Sequence, residues 1–150
     1  MWQRKQTLFM AIAIICGIVC LCLPVARWIP SGMGSNVEVY NLFFYREGGE
    51  TGYKVAGLFI SQLLTLPLAV IAIFKFHNRV LQSRLCSICI FLLVAWYVLY
   101  AVTAQPAGEG YIFKPDFAAC LPMIEILLYF LARKGIIADE KLVKAADRIR

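Results

Sequence analysis

The sequence predicts an all-α membrane protein: an antiparallel four-helix transmembrane bundle carrying a small extracytoplasmic β-hairpin or three-stranded sheet. Two observations lead there. Apolar residues make up 61% of the 150-residue chain, well above the roughly 45–50% of soluble domains, and mean hydropathy is +0.74. These residues also fall in four blocks of about twenty rather than at amphipathic spacing, and about 20 apolar residues is the length of helix that crosses a bilayer. The net charge of +6 does not indicate nucleic-acid binding. The basic residues flank the apolar blocks, where they orient membrane proteins instead.

The first span is placed at 7–26, free of charge, with Trp2 and Trp28 as expected interfacial anchors. It is too long for a signal-peptide apolar region of about 7–15 residues and ends without a cleavage site. The first outer loop, 27–54, opens with the turn-rich Pro30–Asn36. Val37–Tyr45 reads as a strand, Gly48-Gly49 as a turn and Glu50–Tyr53 as a short return strand. The second span, 55–74, contains Pro67, which removes a backbone donor and should loosen the helix. Residues 75–84 form a short basic loop, and 85–104 the third span. In the second outer loop, 105–115, Tyr111–Lys114 is the natural third strand. The fourth span is 116–132, followed by a charged tail, 133–150. All 150 residues form one membrane domain.

Eleven Lys and Arg residues lie on the side of the termini and four on the other side. The positive-inside rule therefore places both termini in the cytoplasm and the strands outside.

Glu125 is the one carboxylic acid deep within a predicted span. Nine residues from Asp116 at 1.5 Å each put it roughly 13 Å below the surface, close to the middle of a core about 30 Å thick. An acid there costs about 2.5–3.5 kcal/mol on insertion scales, so it needs a partner or a function. The same depth count brings Gln62, Thr65 and Tyr97 to the level of Glu125, as a candidate polar layer between helices. The layer is read as an interhelical lock or subunit contact, or alternatively as a proton or ion relay.

The six cysteines, Cys16, Cys20, Cys22, Cys86, Cys89 and Cys120, all lie in apolar segments, so no disulfide framework is indicated. Cys86 and Cys89 have C-x-x-C spacing, but at the cytoplasmic end of a span, and neither outer loop offers a cysteine to meet a thiol substrate. His77 has no neighbour at metal-ligand spacing. No phosphate loop, nucleophile elbow or catalytic carboxylate pair is present.

The reading is therefore of a non-enzymatic accessory or assembly subunit of a larger membrane complex, without cofactor or metal. Its partners would be the lipid bilayer and another membrane protein or further copies of itself. The contact candidates are Tyr40, Phe43, Phe44 and Tyr45 in the outer strands, and Leu142 and Ile149 on the apolar face of the tail. The alternatives are a small proton- or ion-coupled transporter using Glu125 and, behind it, a membrane thiol redox protein.

The two ends of the chain carry a family likeness. Gln3, Arg4, Gln6 and Thr7 form a Gln-Arg-x-Gln-Thr start. Asp139, Glu140, Leu142, Val143, Asp147, Arg148 and Arg150 form an Asp-Glu-x-Leu-Val…Asp-Arg-x-Arg end. With four spans between them, the chain resembles a bacterial family of inner-membrane proteins known only as a domain of unknown function. Trp2 stands where an aliphatic residue is expected. The resemblance implies the bacterial inner membrane and the fold, and implies no activity.

Overall fold

The computed structural model describes residues 5–32, 34–46, 48, 51–75, 78–104 and 110–147. Trp2, Gly49, His77 and Ile149, and the outermost residues of both terminal motifs, lie outside them. Four long helices, α1 (Lys5–Cys22), α2 (Ala56–Phe74), α3 (Arg79–Thr103) and α4 (Leu121–Asp147), pack beneath a five-stranded sheet. The strands are β1 (Ala26–Pro30), β2 (Val37–Val39), β3 (Phe44–Arg46), β4 (Thr51–Gly52) and β5 (Tyr111–Pro115).

α1, α2 and α3 are each long and apolar enough to cross a membrane. The protein is accordingly a multi-pass membrane protein, mostly helical, with a small antiparallel sheet at one end. α4, which carries Glu125, Arg133 and Lys134 along its apolar part, is not in that set. Its neighbours are α1 and α3, and α2 completes the ring against both of these.

The helices bury residues at steps of four and three. The seam positions are 6, 10, 13, 17 and 20 in α1, and 58, 62, 65, 69 and 72 in α2, where Ser61 beside the seam is buried as well. In α3 they are 82, 86, 89, 93 and 96, and in α4 they are 121, 125, 129, 132 and 136, with Pro122 buried beside them. This 3.5-residue period keeps one seam of each helix turned inward. Many seam residues are small, among them Ala13, Gly17, Ala69, Ala72, Cys86, Cys89 and Ala132, while Ile15, Ile60, Phe91 and Leu127 face outward. Lipid is as apolar as leucine, so close packing of small side chains, not removal of apolar area from water, holds such helices together.

Helix ends follow local chemistry. Proline disfavours the α region in the residue before it, and α1 stops just ahead of Pro24. Asn78 caps α3 by accepting from Leu81 N at 3.2 Å. α3 thus begins before the expected residue 85, and the basic loop is shorter than expected. Pro67 sits on the exposed face of α2, which runs through it. Asp116 caps a 3-10 turn, Phe117–Cys120, that leads into α4. α4 extends well past residue 132 into the expected tail.

The sheet is larger than the expected hairpin or three strands. Its order is β4-β3-β2-β1-β5, with every neighbouring pair antiparallel. β3 and β4 pair around a turn containing Gly48, whose φ of 138° suits a residue without a Cβ. β1 was not anticipated: the first span, expected to reach residue 26, ends at Cys22, and the chain turns directly into a strand. Trp28 is consequently not an interfacial anchor. It is 5% exposed and packs on Phe44 at 5.7 Å between ring centroids. β5 joins β1 along its whole length, from Ala26 opposite Pro115 to Pro30 opposite Tyr111, rather than the 37–53 segment.

The expected strand 37–45 is interrupted. Tyr40 N donates to Phe43 O at 2.8 Å, and the turn so formed drives Asn41 into the protein. Asn41 Nδ2 donates to Cys20 O near the end of α1 at 2.7 Å. Trp96 Nε1 of α3 donates to Asn41 Oδ1 at 2.9 Å, and Phe59 N of α2 donates to its backbone carbonyl at 3.1 Å. One loop residue thus ties three helices to the sheet. Around it lies an apolar cluster that includes Val25, Trp28, Val37, Val39, Leu58 and Trp96. A second cluster, with Met10, Leu93, Tyr129 and Ile136, fills the bundle toward the other end.

Candidate functional site

Between the two apolar clusters lies the main interior polar group. Glu125 of α4 and Gln62 of α2 are both 0% exposed, and Gln62 Nε2 donates to Glu125 Oε1 at 2.7 Å. Both occupy seam positions, so the side chains meet across the bundle axis. Gly17 of α1 makes room for them. A Cβ there would stand 3.1 Å from Gln62 Nε2 and 3.3 Å from Glu125 Oε2. Gln62 Oε1, Glu125 Oε2 and the Tyr129 hydroxyl have no hydrogen-bond partner among the described residues.

The other two layer candidates are placed differently. Thr65 is fully buried, yet its hydroxyl donates to Gln62 O of its own helix at 2.7 Å. Tyr97 stands outside the Glu125–Gln62 pair. Its hydroxyl donates to Ala119 O at 2.8 Å, and its ring lines a shallow apolar groove of about 520 Å³ with Cys120, Met123 and Ile124. The cause is rotation: Tyr97 follows the seam residue Trp96, and one residue turns a helix by about 100°. Equal depth does not mean an equal face.

Tyr129, one turn after Glu125 on the same face, was signalled by its i+4 spacing but not singled out. Also missed was a polar clasp at the end of the bundle away from the sheet. There Gln6 Nε2 donates to Asp139 Oδ2 at 2.6 Å, and Arg79 Nη1 donates to Asp139 O at 2.9 Å.

Among the surface candidates, Tyr40 and Phe43 stack on each other at 5.1 Å. Tyr40 also donates to Glu38 Oε2 at 3.1 Å. Partial burial, and then that carboxylate, push the Tyr40 phenol above its ordinary range. Phe44 is half-buried against the core, whereas Tyr45 is 42% exposed. Leu142, in the extension of α4, is 70% exposed.

All six cysteines are free thiols. Cys86 and Cys89 are buried in the seam of α3, donating to Met10 Sδ and to Thr65 O, both at 3.8 Å. Cys20 is buried, and Cys22 and Cys120 are exposed. Mass spectrometry after N-ethylmaleimide treatment in mild detergent is expected to show rapid modification at Cys22 and Cys120. Cys20, Cys86 and Cys89 should react only after denaturation. Among the described residues no group of three or more His, Cys, Asp or Glu side chains is arranged to hold a metal ion.

No curated protein matches the chain. A family model matches residues 2–149, almost the whole chain, and on that match the protein belongs to the family described as Domain of unknown function (DUF4293).

Proposed function

We propose that the protein is a non-enzymatic accessory or assembly subunit of a larger complex in the bacterial inner membrane. It crosses the membrane four times, with both termini in the cytoplasm and the sheet outside. The observation that carries the reading is the complete enclosure of Glu125. The interior acid is answered by Gln62 of the same chain and closed over by Gly17, as in a lock between helices. Interactions with other proteins then fall to the surface, at the sheet around Tyr45 and along the extension of α4 around Leu142. Glu125, a contact candidate from sequence, is withdrawn from that role by its burial.

Crossing by α4 is supported by its position between α1 and α3. The 3-10 turn leading into it accepts from Cys20 of α1 at Ala118 O, and at its other end α4 meets Gln6 and Arg79. Its 27 residues extend about 40 Å, more than a bilayer core. The excess of basic residues on the side of the termini supports the orientation.

Crosslinking in native membranes, followed by mass spectrometry, tests the proposal. Reproducible crosslinks from the sheet or the α4 extension to a second membrane protein are expected. Recovery of the uncrosslinked monomer alone, across several crosslinker lengths, would count decisively against it. A second reading, a small proton- or ion-coupled transporter, is favoured by the two unpartnered oxygens on Glu125 and Gln62. It requires a Glu125-dependent proton or ion flux in reconstituted vesicles.

A further inference from the structure

We propose that Glu125 and Gln62 form a reciprocal carboxylic acid–amide pair that holds one proton in the middle of the bundle, and that loss of this proton unlocks the helices. Each partner of the 2.7 Å hydrogen bond retains one oxygen without a partner, Gln62 Oε1 and Glu125 Oε2. A carboxylate only accepts hydrogen bonds, whereas a carboxylic acid also donates one. A carboxylic acid and a primary amide are both planar, and each presents a donor and an acceptor along one edge. With Gln62 Nε2 donating to Glu125 Oε1, a hydrogen on Glu125 Oε2 donates back to Gln62 Oε1. One proton thereby satisfies both oxygens, and buried polar groups are nearly always satisfied.

The surroundings support the neutral pair. A charge on Glu125 would be felt by Cys16 and Cys20 of α1, by Cys89 and Tyr97 of α3, and by Tyr129 of α4. α2 contributes Gln62 and Thr65, which do not titrate. These titratable neighbours are thiols and phenols, and none is a base that would compensate a buried carboxylate. Gly17 leaves little space on its side, since even a Cβ would press on both partners. When the proton leaves Oε2 for solvent, the pair keeps one of its two hydrogen bonds and gains an unpaired charge. Hydrating that charge requires the helices to part. This property belongs to the bundle itself and holds whether or not the protein has a partner.

The test uses the full chain in detergent and combines infrared spectroscopy with unfolding at neutral to alkaline pH. Wild type is expected to show a carboxylic-acid carbonyl band at neutral pH that is missing in Glu125→Gln. A proton held by the folded state and released on unfolding raises the unfolding constant about tenfold per pH unit until the folded pair itself ionises. Glu125→Gln retains matched edges as an amide–amide pair and cannot ionise, so it should lack this alkaline loss. Absence of the acid band from wild type at neutral pH would overturn the proposal, as would an equal alkaline loss in Glu125→Gln. Should that variant fail to fold, the wild type still decides: stability must fall with rising pH while the acid band is present and level off where the band disappears. A stability that is flat while the band is present, or that shows no levelling where it disappears, would also overturn the proposal.

Discussion

Asn41→Ala is expected to destabilise the protein by about 2–4 kcal/mol, since it leaves two buried groups without partners at roughly 1–3 kcal/mol each. The groups are the Trp96 indole N–H, 2.9 Å from Asn41 Oδ1, and the Cys20 carbonyl, 2.7 Å from Asn41 Nδ2. The Cys20 carbonyl lies in the last turn of α1, where helical carbonyls have no partner further along the helix. Asn41 supplies that partner from outside. Aspartate cannot replace it, because a carboxylate accepts from Trp96 but donates nothing to Cys20. Unfolding in mixed micelles, followed by tryptophan fluorescence, measures the effect. The exposed Asn36→Ala serves as control, and a loss in Asn41→Ala no larger than in that control would contradict the assignment.

Gly17→Leu should be comparably damaging, by about 3–5 kcal/mol. Inserting a large side chain into a packed core costs about 1–3 kcal/mol, and displacing the hydrogen bond of a buried pair adds roughly 1–3 kcal/mol per orphaned group. The first Cβ alone would approach Leu66 Cδ2 to 3.0 Å, and the rest of the leucine would enter the space shared by Gln62 and Glu125. Gly17→Ala asks only for shifts of a few tenths of an ångström and should cost much less. Unfolding of the two variants under one set of conditions provides the comparison. Equal stability of leucine and glycine at this site would mean that α1 does not close over the pair.

The helices were legible because each apolar residue contributes independently to a span, so small errors average out. The boundaries were not, since they depend on single residues. The apolar run starting at Thr7 continues through Val25 and Ala26 without polar punctuation, and only Pro24 marks the change. Ala26, Arg27 and Trp28 alternate buried, exposed, buried, which is a strand signature hidden beside a span. Asn41 carried a signal as well. Asparagine is disfavoured in strands and favoured in turns, and it sat within a run otherwise rich in aromatic and β-branched residues. Depth counting brought Gln62 and Glu125 to one level, and the two meet because both also lie on seams. For Tyr97 it returned the level without the face. Gly17 was invisible to hydropathy, since its contribution is the absence of a side chain.

The pairing of β1 with β5 has a consequence for biogenesis. β1 emerges immediately after α1, whereas β5 lies on the far side of α2 and α3 in the chain. During synthesis, β2, β3 and β4 can align on β1 early, but the opposite border of β1 stays unpaired until residues 111–115 are delivered beside it. In an incomplete chain β1 is therefore the border strand, and in the finished sheet that place passes to β5. The sheet reaches its full width only when the last connecting loop has been made.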